Sequence, residues 1–400
     1  MTILEKFQKL GMENAPGQED SKKYDLPELD GYHGKFVDFG HGDVLVHEVL
    51  PGAVDYLLEG MKDGSDQAYT RYRGRANIVE NVAEKLSRFT GTKIDPEKNV
   101  ILTPGTQGAL FLTMGANIMP GDKVALIQPD YFDYRKMVEF LQGEIVPIRP
   151  NYKSTTHGAG IDLEELERAF QSGVKLFLFS NPNNPVGFVY TQEELSGIAK
   201  LAKKYGVILV VDQLYSRQIF SGTTYTHLRA LPDAQDNVVT IFGPSKTESA
   251  SGFRLGVAVG PEDIIERMEQ LQGIVSLRCA GYNQNVFRAW FCEPDGWLAA
   301  RVKEHMRIRD DLLKLCAEFP GVSVRATEGG SYIFVELPEL TISIEDFARI
   351  CHKSADVIVT PGTEFGPQFT HHFRINFSQD HDVCLDAVRR VLRVMEVYRK

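Results

Sequence analysis

The sequence predicts an α/β fold: a mostly parallel sheet in a large domain, joined to a smaller α+β domain. Two observations predict it. From about residue 99 to 259, short apolar runs rich in Val and Ile alternate with stretches of helical period. Strands that are apolar throughout and separated by helices make a parallel sheet covered on both faces. After about residue 290 the alternation stops, and long helical stretches stand beside a few short strands. The expected division is 1–48 as an arm and part of the small domain, 49–290 as the large domain, and 291–400 as the small C-terminal domain.

Taken in order, residues 1 to about 35 are polar and turn-rich, and 13–23 reads as an arm. Residues 36–39 form a short strand, followed by a tight loop, Gly40-His41-Gly42-Asp43. His41 could face a substrate or be a plain turn residue. A helix over 53–60 is expected to stop at Gly60. Another covers 78–90, with Ile78, Val82 and Leu86 on one face. Strands are predicted at 99–103, 123–127, 175–179, 207–212, 238–242 and 255–259. The helix before Val207 has Thr191 and Glu194 as a capping box and Gly206 as its stop. Beyond residue 290 come a helix at 297–319 and a strand pair over 322–337 broken by Gly329-Gly330. A helix at 344–353, strands at 356–360 and 372–377, and a closing helix at 382–398 follow.

Composition narrows the function. A net charge of −10 leaves no surplus of Lys and Arg for nucleic-acid phosphates. The basic run Arg389, Arg390, Arg393, Arg399 and Lys400 suits the end of a helix. Five cysteines, scattered and without CxxC spacing, predict reduced, buried thiols, not a disulfide framework or a zinc site. The N-terminus lacks the apolar core of a secretory signal, and no apolar stretch reaches membrane-spanning length. A soluble, cytoplasmic chain is expected.

The chemistry concentrates at the ends of the predicted strands, where ligands of a parallel sheet gather. In Gly243-Pro244-Ser245-Lys246-Thr247, a lysine sits on a loop between two buried strands, with Arg254 following among glycines. A free lysine is neutral in only about one molecule in a few thousand at pH 7. Keeping it beside hydroxyls and an arginine suggests covalent use, such as a Schiff base to an aldehyde cofactor. Thr103-Pro104-Gly105-Thr106-Gln107-Gly108 opens a helix after a strand, as a phosphate site or as a plain glycine turn. Pro129-Asp130-Tyr131-Phe132-Asp133-Tyr134 follows the next strand, and Tyr131 in it could stack on a planar ring or simply pack. Two Asn-Pro pairs in Asn181-Pro182-Asn183-Asn184-Pro185 force a turn. Asp212 ends a buried strand and needs a cationic partner; Arg374, in an apolar strand, needs an anionic one.

Together these stretches resemble the fold-type I, pyridoxal-phosphate-dependent aminotransferases (class I/II), in family order from about Phe36 to the C-terminus. The resemblance implies a seven-stranded-type sheet in a large cofactor-binding domain. It implies that Lys246 holds pyridoxal 5'-phosphate as a Schiff base and then shuttles the substrate's Cα proton. Thr106, Gln107, Ser245 and Arg254 would bind the phosphate, and Tyr131 would stack on the ring. Asn184 and Tyr215 would bond the ring oxygen, Asp212 would pair with the ring nitrogen, and Arg374 would grip the substrate's α-carboxylate, with Asn184 beside it. Tyr69 would reach the neighbouring subunit's phosphate site, which implies a homodimer. Gly243 departs from the family's usual serine or threonine three residues before the lysine. Gln213 stands where the family often has glutamate.

The expected function is transfer of an amino group from an α-amino acid to a 2-oxo acid. The rival keeps the cofactor and changes the reaction to decarboxylation, or to elimination or replacement at the β or γ carbon. A non-catalytic sensor module would need a DNA-binding region that the short acidic arm cannot supply. For the substrate's side chain, Arg278, Tyr282, His41 and Arg217 are the candidates.

Overall fold

In the computed structural model the described residues are 2–8, 10–11, 25–41, 46–234 and 236–400. The predicted arm at 13–23, with Gly42 and Asp43, lies outside them. The strands are β1 (Val37–Asp38), β2 (Val100–Pro104), β3 (Lys123–Ile127), β4 (Glu144–Ile148), β5 (Val174–Ser180), β6 (Ile208–Asp212), β7 (Val238–Phe242) and β8 (Leu255–Val259). They continue with β9 (Ser323–Val324), β10 (Tyr332–Glu336), β11 (Val357–Ile358), β12 (Thr360–Pro361) and β13 (His372–Asn376).

Seven strands form the main sheet in the order β2-β8-β7-β6-β5-β3-β4. All run parallel except β8, which is antiparallel to both β2 and β7. The apolar runs follow from burial on both faces. In β5, Phe177 and Phe179 enter one core and Leu176 and Leu178 the other. In β6, Leu209 and Val211 divide from Val210 in the same way.

The six predicted strands form. The seventh, β4, escaped the pattern because it is the edge strand, paired only with β3, half-exposed, and interrupted by Pro147. Proline is tolerated there because one row of N–H groups has no partner to lose. The capping box also forms: Thr191 accepts from the Glu194 N–H at 3.2 Å and Glu194 from the Thr191 N–H at 2.8 Å.

The helix Ala53–Lys62 runs through Gly60 and does not stop at it. This glycine serves close packing instead, since a Cβ there would collide with Asn285 and the Tyr282 carbonyl.

The remaining strands make an antiparallel sheet, β12-β13-β10-β9, and a parallel pair, β1 with β11. The predicted strand 356–360 is therefore two pieces. Val357 pairs with Val37, whereas Thr360 pairs with Arg374 in the other sheet. Helices Trp297–Ala317, Ile344–Ala355 and His381–Tyr398 pack with these strands around one core. Four cysteines are buried as expected, but Cys292 is exposed. No helix among the described residues is long and apolar enough to cross a membrane.

Candidate active site

Because β3, β5, β6 and β7 run parallel, the loops at their carboxyl ends converge, and the turn after β2 joins them beside β8. They line a cavity of about 240 Å³ that brings together Lys246, Asp212, Tyr215, Thr106, Gln107, Tyr131, Asn184, Ser245 and Arg254.

One end is built for an anion. Gly105, at φ 76°, turns the chain into the helix Gly105–Gly115, whose first N–H groups are free of helical partners. The Arg254 guanidinium lies against Gly105, where any Cβ would collide with it. Gly256 likewise has no room for a side chain against Gly105 and the Thr106 nitrogen. Ser245 Oγ is buried without a hydrogen-bond partner. Gly243 also finds its reason here: a Cβ would stand 2.7 Å from Thr106 Cγ2 and 2.9 Å from the Leu255 carbonyl. Thr106 fills the space a side chain at 243 would need.

At the centre, Asp212 is buried at the end of β6. It accepts from Tyr134 Oη at 2.9 Å and from the Leu214 N–H at 3.1 Å. Burial pushes its pKa up to about 6, against those hydrogen bonds and the nearby positive charge of Lys246. The Tyr131 hydroxyl and the Gln107 amide both donate to Asp133 Oδ2, at 2.9 and 2.7 Å. Gln107 thus lines the cavity with its amide tied beside Tyr131. Tyr215 Oη donates to Tyr332 Oη at 2.8 Å.

Asn184 and Tyr332 line another part of the cavity, and against both lies Arg374, on β13 and 2% exposed. Its guanidinium donates to Asn184 Oδ1 (3.1 Å), the Gly40 carbonyl (2.8 Å) and Thr360 Oγ1 (3.3 Å), and lies 4.4 Å from the centre of the Tyr332 ring. All three partners are neutral, and its Nε is buried with none. Among the described residues no carboxylate stands within ion-pair distance of it. A buried arginine without an anion is a binding site for one.

Three of the four side-chain candidates point elsewhere. Arg217 bridges the buried Glu248 (2.5 Å) and Glu293 (2.6 Å), a structural network away from the cavity lining. Arg278 lies over the Tyr69 and Tyr72 rings, at 4.4 and 4.9 Å, and Tyr69 is 81% exposed, outside this chain's cavity. Tyr282 is surface-exposed. His41, whose Nδ1 is 2.8 Å from Asp38 Oδ2, is nearer: the preceding residue's carbonyl holds Arg374, and the charges of Lys246 and Arg374 act on the imidazole.

Sequence reasoning missed Tyr134, Ser180 and Tyr332 on the cavity wall, and Asp130 just behind it. Asp130 and Tyr134 lay in the stretch already singled out. An aromatic in a short strand such as β10 reads as core.

These residues fit pyridoxal phosphate: an orphaned buried hydroxyl and an arginine at a helix start suit its phosphate, and a buried carboxylate suits its ring nitrogen. The class follows from fold and site together. Over residues 35–391 the sequence matches the family Aminotransferase class I and II, and the chain belongs to that family, a transferase of amino groups in a family that works with pyridoxal phosphate. A crystal structure of an aspartate aminotransferase from Rhodobacter sphaeroides 2.4.1 is 49% identical, with a TM-score of 0.93 and 100% of each chain covered. The aspartate aminotransferase of Sulfolobus acidocaldarius is 28% identical over 337 residues, 82% of each chain. The aromatic-amino-acid aminotransferase 2 of Thermococcus litoralis is 25% identical over 347 residues, 86% of this chain and 88% of that one.

Proposed function

We propose that the cavity holds pyridoxal 5'-phosphate and that the amino donor is a dicarboxylic amino acid, aspartate, with a 2-oxo acid as acceptor. The names of the 49% identical structure and of the Sulfolobus relative support the donor. The observation that carries the reading is one cavity that holds Lys246 beside a buried Asp212 and whose wall, at Asn184 and Tyr332, rests on an Arg374 with only neutral partners among the described residues.

Thr106, Ser245, Arg254 and the helix N-terminus would hold the phosphate, with Gln107 fixing the wall beside it. Bound there, the group supplies an electron sink for the pair left when a proton leaves the amino acid's Cα. Asp212 would pair with the ring nitrogen and, ionised by that partner, would preserve that property. Lys246 would hold the group through its aldehyde and would be the base that takes and returns the amino acid's Cα proton. Tyr131 would cover the ring face, and Asn184 and Tyr215 would serve the ring oxygen. Arg374, steadied by Asn184, binds the α-carboxylate and so fixes which bond to Cα is presented.

The same reading gives a homodimer. Val54, Leu58 and Met61 on the helix Ala53–Lys62 are exposed, as are Tyr69, Tyr72, Ile274, Val275, Leu277 and Tyr282. Gly60 packs on Tyr282, and Tyr72 on Gly273, so these segments form one apolar surface. Tyr69 stands on it and, in the dimer, would reach the neighbouring site. The domain division at 48 and 290 and a cytoplasmic location, the latter suited to unpaired thiols, belong to the same proposal.

The visible absorption spectrum tests it. Purified protein should be yellow, and L-aspartate added without any oxo acid should bleach it and release an equimolar amount of the matching 2-oxo acid. A protein that stays colourless with added pyridoxal phosphate overturns the cofactor. Bleaching by aromatic amino acids alone overturns the donor.

A further inference from the structure

Behind the cavity wall lies a buried acid to which the reaction scheme gives no part. Asp130 follows β3 and is 5% exposed. Its Oδ1 accepts from the Tyr131 N–H at 2.7 Å and from the Ser180 hydroxyl, and its Oδ2 from the Ser180 N–H at 2.9 Å. A buried carboxyl is costly, and one with no cationic partner is retained only where its acceptors are used. Here they tie the loop after β3 to the end of β5.

The chain of contacts does not end at Ser180. Its Oγ, with its own proton directed at Asp130, accepts the Asn184 N–H at 3.0 Å. Asn184 Oδ1 in turn accepts from Arg374 Nη1 at 3.1 Å, and Arg374 Nη2 reaches the Gly40 carbonyl at 2.8 Å. The Asp130–Ser180 and Asn184–Arg374 links are buried and join segments 50 and 190 residues apart, the Ser180–Asn184 link closes within one turn, and the Gly40 link is partly buried. Burial pushes the pKa of Asp130 up to about 8, opposed by its hydrogen bonds and raised a little further by Asp212. Burial thus favours its uncharged form, which would not repel an anionic substrate at neutral pH. Tyr134 and Tyr190, the other titratable groups acting on it, are neutral there.

We propose that Asp130 and Ser180 are positioning residues that fix Asn184, and through it Arg374, for the substrate's carboxylate. This rests on the reading of Arg374 as the carboxylate-binding group. The prediction is asymmetric: loosening the chain weakens substrate binding much more than it slows the chemistry, because the interaction is made before and during the reaction alike.

The test uses Ser180→Ala and Asp130→Asn as holoenzymes. In Ser180→Ala the Asn184 N–H loses its acceptor while the Tyr131 N–H keeps Asp130. The half-saturating concentration of aspartate should rise about tenfold, the size of one lost buried hydrogen bond, with kcat lowered less than about threefold. The dissociation constant of maleate, an unreactive dicarboxylate read from the visible band, should rise by the same factor. Asp130→Asn should move both constants in the same direction. Should Asp130→Asn not fold, Ser180→Ala decides alone. Aspartate and maleate constants within twofold of wild type, or a loss confined to kcat, would overturn the proposal. A wild-type protein that takes up no pyridoxal phosphate would instead count against the proposed function.

Discussion

Asp212 carries the sharpest conflict between a side chain and its surroundings. A carboxyl whose pKa is raised in the fold binds its proton more tightly folded than unfolded. Its contribution to stability is therefore greatest in acid and is lost as pH rises from about 4 to about 6. Cofactor-free Asp212→Asn should then melt a few degrees higher than wild type at pH 8, with the gap closing by pH 4, while transamination is lost. Thermal melts across that range check it, and a variant less stable than wild type at pH 8 would show that the carboxylate is already compensated. Lys246→Ala should lower turnover by about a thousandfold or more, the usual worth of a positioned proton carrier. In Arg374→Lys, loss of the forked donor should raise the half-saturating aspartate about tenfold or more with a smaller change in kcat. Steady-state kinetics separates the two effects.

At the scale of elements, the site depends on how the turn after β2 meets the start of β8. Gly105, Gly243 and Gly256 let backbone and Arg254 approach where side chains would collide. Gly243→Ala should cost about 1–3 kcal/mol by overpacking and weaken retention of the cofactor. Adding Thr106→Ser removes the methyl group in the way and should recover part of the loss, the rest remaining because the Leu255 carbonyl stays 2.9 Å from the new Cβ. Melting temperatures of the single and double variants measure this, and no recovery would mean that the carbonyl alone sets the limit. The element pattern was largely legible, since buried parallel strands are apolar throughout and capped helices mark their own ends. Edge strand β4 was not, because half-exposure and Pro147 erase the signal. The glycine at 60 was misread because close packing and helix termination use the same residue.

Across the whole molecule, the apolar surface around Tyr69 and Arg278 is where the proposed homodimer can be tested. Sedimentation should give twice the mass of one chain, and Tyr69→Ala should weaken cofactor retention without altering the fold. If Tyr69 serves the neighbouring site, mixing Lys246→Ala with Tyr69→Ala chains should rebuild one intact site per hybrid, recovering up to about a quarter of wild-type activity. No recovery on mixing would place Tyr69 outside the partner's site.

The sequence by itself determined the fold class and the family, because strand ends carrying Lys246, Asp212 and Asn184, and a later apolar strand carrying Arg374, keep an order along the chain that needs no coordinates. It also marked Asp130 and Tyr134 without giving them a use. Only the tertiary structure decided that Arg217 belongs to a buried ion network, that Arg374 meets no carboxylate among the described residues, and that Thr106 occupies the space beside Gly243. Those outcomes turn on contacts between segments up to hundreds of residues apart, and local propensity and periodicity carry no information about which distant side chain completes a charge or fills a gap.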